Sequence, residues 1–175
     1  MTSLILFRHA KAVPAGPGGD HIRALAAEGQ RAAPLIGAEL KRMGLNPEII
    51  LVSSAARTQE TYTLAAAAGG LGAATIEDEL YLASAGSILK RIRKVPPRTK
   101  SVMIIGHNPG LAELASRLAD PEESDSRARA RARARFPTAT CVVLNVLTPW
   151  SEIEDGDCAL THYFTPADMG LTDED

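Results

Sequence analysis

Residues 3–9 read SLILFRH, an apolar run stopped abruptly by an arginine and a histidine. A short apolar run with polar residues at its end suits a strand buried on both faces. The pattern returns at 48–54, EIILVSS, and at 101–108, SVMIIGHN. Between these runs the spacing predicts helices. One covers 25–43 and ends at Gly44, with Pro34 as a kink or boundary inside it. An alanine-rich helix over 55–68 is stopped by Gly69 and Gly70. Ser84 is placed to cap a helix over 85–94 that Pro96 and Pro97 close. Leu111, Leu114, Ala115 and Leu118 recur at amphipathic helical spacing. A weaker strand is expected at 73–77, and two more at 139–147 and 157–164 around the acidic turn SEIEDGD, able to pair as a hairpin. Strands alternating with helices predict an α/β protein, a three-layer α/β/α sandwich around a mainly parallel sheet. The alternation does not specify strand order.

The chain has 175 residues, about one domain by length, and 1–175 reads as a single unit. Apolar residues make up 45% and charged residues 23%, which argues against disorder and disulfide-scaffold classes. No apolar run approaches the roughly 20 residues that span a bilayer. The N-terminus lacks a basic leader pattern, and Cys141 and Cys158 are the only cysteines. A reduced, cytoplasmic protein is therefore expected, with both thiols as small buried side chains. Five arginines, Arg127, Arg129, Arg131, Arg133 and Arg135, lie in one run. Removing those five charges from the net −2 leaves −7 for the remainder. An acidic remainder without interleaved aromatics in the run disfavours nucleic-acid binding.

Three polar groups each follow a predicted buried strand: Arg8 and His9, then Ser53, Ser54 and Arg57, then His107 and Asn108. Ligands of open α/β sheets bind beyond the carboxyl ends of the strands. Two arginines and two histidines gathered there make a site for a dianion, above all a phosphoryl group, whose oxygens match the arginine fork. No Walker-type glycine loop is present, and both cysteines fall outside these segments. Histidine can itself attack as a nucleophile, and His9 beside Arg8 is the better placed of the two. For Arg8 and His9 taken alone, a structural pair is the ordinary expectation; the order of the other motifs decides for chemistry.

FRHAKA at 7–12 resembles the signature of the histidine phosphatase, or phosphoglycerate-mutase-like, superfamily. Asp20, Arg23, Leu25 and Gly29 are similar to the D-x-x-R-x-L-x-x-x-G segment that follows it. VSSAARTQET at 52–61 resembles the S-x-A-x-R-x-x-x-T motif, and IIGHNPG at 104–110 the second-histidine motif. The short chain and FPTATCVVL at 136–144 narrow the resemblance to the small SixA-like protein-phosphohistidine phosphatases. Ala10 stands where the superfamily usually has glycine, and Ser54 where it usually has proline.

The resemblance implies roles. His9 would be the nucleophile that carries a transient phosphoryl group, and Arg8, Arg57 and His107 would hold the phosphoryl oxygens. Arg23 would approach the same pocket, with Asp20 orienting it or His9, and Asn108 in support. Glu79, in EDELY at 77–81, sits where larger relatives carry the proton donor; an exposed glutamate without a role is the competing expectation. Phosphoryl transfer is mainly positioning plus charge stabilisation, so no metal and no cofactor are expected. His9 must be neutral to attack, and nearby arginines favour that form.

The expected partner is a phosphohistidine-carrying domain of a signalling protein. Imidazole, once its ring is protonated, leaves far more readily than an alkoxide, and short spacers leave little chain for a lid. The alternatives are a phosphatase of a small phosphomonoester, which would need Glu79 as acid, and a non-catalytic module binding phosphoproteins or polyanions. His21 and His162 are expected as ordinary surface or packing histidines. For the run at 127–135 the leading expectation is a solvated, mobile loop. Pairing with Glu152, Glu154, Asp155 and Asp157, and docking of an acidic phosphoprotein, are the other two.

Overall fold

The apolar runs form the centre of one six-stranded sheet in the computed structural model, which describes residues 1–172. The strands are β1 (Thr2–Arg8), β2 (Ile49–Ser53), β3 (Thr75–Glu77), β4 (Ser101–Gly106), β5 (Cys141–Val146) and β6 (Cys158–Phe164). Their order is β3-β2-β4-β1-β5-β6. The first four are mutually parallel, while β5 runs antiparallel to β1 and pairs with β6 as the expected hairpin. The sheet is thus mixed, with its parallel part on one side and the hairpin on the other.

The helices are α1 (Ala27–Arg42), α2 (Ala56–Gly69), α3 (Ala85–Ile92), α4 (Gly110–Leu118) and α5 (Ser126–Ala134). Successive side chains on a strand point to opposite faces. Leu4 and Leu6 therefore join Val102, Ile104 and the apolar stripes of α3, α4 and α5 in one core layer. Ile5 and Phe7 join Met103, Ile105 and the stripes of α1 and α2 in the other. Both layers are closed, giving the α/β/α sandwich. Pro34 lies within α1, which continues through it. Gly44 ends that helix with φ of 72°, and Ser84 caps α3 by accepting from the Ser87 N–H.

The arginine run departs from expectation: residues 126–134 are helix α5, not a loop. Asp125 caps it by accepting the Ala128 N–H at 2.8 Å. Alanine is the best helix former, and Ala128 and Ala132, one turn apart, are buried against the core. Arginines at every second position mask that signal with the period of a strand. The expected acidic partners are also different. Arg131 pairs with Asp168 at 2.9 Å, and Asp155 is held by Arg117 at 3.0 Å. Cys141 and Cys158 lie on adjacent strands but at opposite ends of the hairpin, opposite Phe164 and Val146. Both are free and buried, and burial pushes their thiols up.

Helix α2 carries Arg57 and is held by close contact with α1. A Cβ on Gly37 would stand 2.0 Å from the Ala65 carbonyl oxygen, and one on Gly69 would stand 2.5 Å from the Gly37 carbonyl oxygen. Glycine to alanine within a helix ordinarily stabilises by roughly 0.5–1 kcal/mol. Here the backbones meet, and overpacking of about 1–3 kcal/mol or more reverses the sign. Gly37→Ala is expected to lower Tm by several degrees in a thermal melt; an unchanged or raised Tm would show that the helices separate at no cost.

Candidate active site

β2, β4 and β1 lie side by side and parallel, so their carboxyl ends reach one edge together. Arg8 pairs with Gly106 and Val52 with Ile105 in the register. The chain leaves those ends as His9, Ser53 and His107. Of the residues expected from sequence, Arg8, His9, Asp20, Arg23, Arg57, His107 and Asn108 line one pocket of about 410 Å³. Lys11, Ala12, Leu82 and Thr138 complete the lining. Glu79 is not part of it: it is exposed on the short 3-10 turn Asp78–Leu80.

His9 is 8% exposed, and its Nδ1 lies 2.7 Å from the Ala10 carbonyl oxygen. A carbonyl only accepts, so Nδ1 carries the proton and the lone pair of the neutral ring sits on Nε2. Arg57 Nε donates toward that Nε2 at 3.3 Å. Thr61 supports the turn by accepting the Ala10 N–H at 3.0 Å. His107 is arranged in the converse way. Arg57 Nη2 lies 3.3 Å from its Nδ1, which must accept, so Nε2–H donates to Ser53 Oγ at 2.7 Å. The two rings stand 5.3 Å apart with the Arg57 fork bridging them.

Both rings are held neutral. Burial is the largest cause for each, and for His9 the charges of Arg57, Arg8 and Arg23 add to it, lowering its pKa to about 4. His107 is lowered to about 3, by burial first and then by His9 and Arg57. Arg8 donates from Nη1 to the Phe136 carbonyl at 2.9 Å, while its buried Nε–H has no partner among the described residues. Asn108 Nδ2 donates to the same carbonyl at 2.8 Å, which ties the two strand ends to one turn.

Asp20 organises the cations. Its carboxylate accepts from Arg23 at 2.9 Å, from Arg57 at 3.0 Å and from the Tyr81 hydroxyl, and its backbone carbonyl accepts from Arg57 at 3.0 Å. The Tyr81 bond, then Arg23 and Arg57, hold this carboxyl well below the usual carboxylate range. Tyr81 also packs edge-on against His107 and His21, and His21 in turn meets Ser54 at 2.9 Å. Sequence reasoning singled out Glu79 in EDELY and passed over Tyr81 two residues on. It noted Ser53 but gave it no role.

The pocket thus offers a basic ring nitrogen, guanidinium donors around it and one carboxylate kept ionised. That set can bind a tetrahedral dianion and attack it from Nε2. Among the described residues no group of three or more His, Cys, Asp or Glu side chains is placed to hold a metal ion, and no helix is long and apolar enough to cross a membrane.

No protein-family model matches the chain. An uncharacterized protein of Mycobacterium tuberculosis is 31% identical over 160 residues, covering 91% of this chain and 99% of its own. Among solved structures, a candidate phosphohistidine phosphatase SixA from Nakamurella multipartitia superposes with a TM-score of 0.80 at 30% identity, over 94% of this chain and 96% of that one. A second candidate SixA, from Agrobacterium tumefaciens, gives 0.76 at 28% identity over 94% and 98% of the two chains.

Proposed function

The chain belongs to the SixA-like branch of the histidine phosphatase superfamily, and from that premise we propose that it removes phosphate from phosphohistidine on a signalling protein through a covalent phospho-His9 intermediate. The observation that carries the reading is the His9 tautomer: Nδ1–H bound to the Ala10 carbonyl, with the Nε2 lone pair turned to Arg57 in a cationic pocket.

The carrier's imidazole takes a proton from solvent on its free ring nitrogen, His9 Nε2 attacks phosphorus, and the P–N bond breaks so that the carrier ring leaves as neutral imidazole. Water then attacks phospho-His9, the bond pair returns to Nε2 to restore the neutral ring, and inorganic phosphate leaves as the attacking water's proton passes to solvent. Arg8 and Arg57 hold the equatorial oxygens where negative charge concentrates, and His107 joins them once the bound dianion draws a proton onto its Nδ1 in place of the Arg57 contact. Asp20 positions Arg57 and Arg23, and Asn108 positions the turn that Arg8 binds.

The choice of phosphohistidine rests on the leaving group. An alkoxide needs a protein acid. The pocket's one carboxyl among the described residues, Asp20, is held ionised, and Glu79 lies outside the lining. An imidazole needs no such donor. The test is phosphate release, with chelator present, from a phosphohistidine-carrying domain, an aryl phosphate and an alkyl phosphate. Release in that descending order is expected. An alkyl phosphate cleaved as fast as phosphohistidine would move the reading to a small phosphomonoester. Folded protein inactive on all three would support a binding module, for which the arginines of α5 are the docking strip.

The pH dependence follows from the lowered histidines. The acid limb of kcat/KM reports the free enzyme, and these coupled rings titrate as a pair. With the aryl phosphate, corrected for its own ionisation, the limb is expected near pH 4 rather than 6.5. Stability moves in the same window. The unfolded chain protonates near 6.5 while the folded rings stay neutral, so stability is lost as pH falls from about 6.5 toward 4. Thermal melts across that range check the sign. A limb at 6.5 would mean that neither ring is held neutral.

A further inference from the structure

A second cavity, of about 510 Å³, opens beside the catalytic pocket and shares Lys11 and Thr138 with it. Its floor is apolar, with Ala32, Pro137 and the Tyr163 ring, and its rim carries Lys11, Arg131 and Arg135. The one carboxylate in the lining, Glu28, is paired with Lys11 at 2.9 Å. The wall between the two chambers is the turn after α5. Tyr163 donates to the Arg135 carbonyl at 2.8 Å, and the next carbonyl, Phe136, holds both Arg8 and Asn108. The arginine helix therefore runs directly into the phosphoryl site.

The arginines divide by role. Arg131 is structural: it binds both Asp168 oxygens at 2.9 Å and lies over the Tyr163 ring at 4.5 Å. Arg127, Arg133 and Arg135 are exposed, and no carboxylate among the described residues pairs with any of them. Arg127 sits one turn before Arg131 on the same side of the helix, and Arg135, the extended residue that ends it, lines the second cavity beside Arg131. A basic strip with no internal counterions, on a chain whose remainder carries −7, is a local exception in the surface charge.

Resting on the phosphohistidine reading above, we propose that this second cavity docks the polypeptide flanking the phosphorylated histidine of the carrier, and that Arg127 and Arg135 select acidic flanks. A chamber of this volume exceeds what a phosphoryl group fills and takes side chains of a neighbouring segment. Its apolar floor suits a peptide better than a bare chain of phosphates, and the aromatic ring in it, Tyr163, is already covered by Arg131 at 4.5 Å and is not open for a base to stack on. The charge contrast would steer an acidic carrier to the mouth of the catalytic pocket and reject a basic one.

The test uses two labelled peptides with a central histidine, one flanked by Asp and Glu and one by Lys. Unphosphorylated, they report docking by fluorescence anisotropy; phosphorylated, they report turnover. The acidic peptide is expected to bind more tightly, with the preference shrinking at high salt. Arg127→Gln/Arg135→Gln is expected to weaken its binding by about fivefold to tenfold, as two exposed charge pairs would. Arg127→Glu/Arg135→Glu is expected to invert the preference, which a merely structural role would not do. Equal binding of both peptides, or an acidic preference that survives charge reversal, overturns the docking proposal whatever the turnover. Selective docking without release from the phosphorylated peptide keeps the docking surface and overturns the catalytic reading instead.

Discussion

His9→Asn is expected to cut phosphate release from a phosphohistidine carrier on the order of 10⁴-fold or more, the scale of losing a covalent nucleophile. Asparagine is the informative replacement. It is neutral like the native ring, and its amide can donate to the Ala10 carbonyl as Nδ1 does. It lacks a basic nitrogen where Nε2 stands. Arg8, Arg57 and His107 are untouched, so affinity for inorganic phosphate should change by less than about tenfold, far less than the rate. Rapid quenching of the wild type under basic conditions should capture a phosphoenzyme that is lost on acid treatment, and the variant should give none. A variant that keeps a tenth of the rate would mean that water attacks the substrate directly, with the arginines doing the work unaided.

The separation of rate from binding matters because the site is strongly cationic on its own. Arg8, Arg23, Arg57 and Lys11 line one pocket of about 410 Å³ around two neutral rings. Burial and the neighbouring charge of Arg57 both lower the pKa of Arg8. Such a pocket binds anions whether or not it turns them over. Affinity for phosphate alone thus says nothing about His9, whereas loss of turnover with retained affinity does.

The strand-end residues were legible in the sequence for a physical reason. Arg8, His9 and His107 each follow at once on a run of buried strand, and parallel strands place such positions side by side. Arg57 came with them because α2 begins within a few residues of the end of β2. Tyr81 was not legible. It leaves a three-residue 3-10 turn, and no periodicity tells whether Glu79 or Tyr81 faces inward there. The Phe136 carbonyl, which joins Arg8 to Asn108, is a backbone acceptor and has no signature in side-chain identity at all. Helix α5 was hidden by competition between two periods, alanine at i and i+4 against arginine at every second place.

Arg57→Lys keeps the charge and is nonetheless expected to lower kcat/KM by roughly 10²–10³-fold, the range for losing a preorganised transition-state donor. Arg57 is 3% exposed and uses its whole fork. Nε reaches His9, Nη1 the Asp20 carbonyl, and Nη2 both the Asp20 carboxylate and His107. One ammonium nitrogen cannot stand at all of these points, and its donors are not coplanar. The lysine is therefore left to choose Asp20, where the opposite charge lies, and to abandon the rings. Arg57→Gln separates the two components by removing the charge as well. It should be slower still, and its acid limb should move up toward 6.5, because Arg57 contributes to holding both histidines low. The limb should not reach 6.5, since burial is the larger cause and remains. If Arg57→Lys turns over at the wild-type rate while Arg57→Gln fails, positive charge alone is what the site requires. The fork geometry would then be incidental to catalysis, and the bridge it forms between His9 and His107 only a property of the resting site.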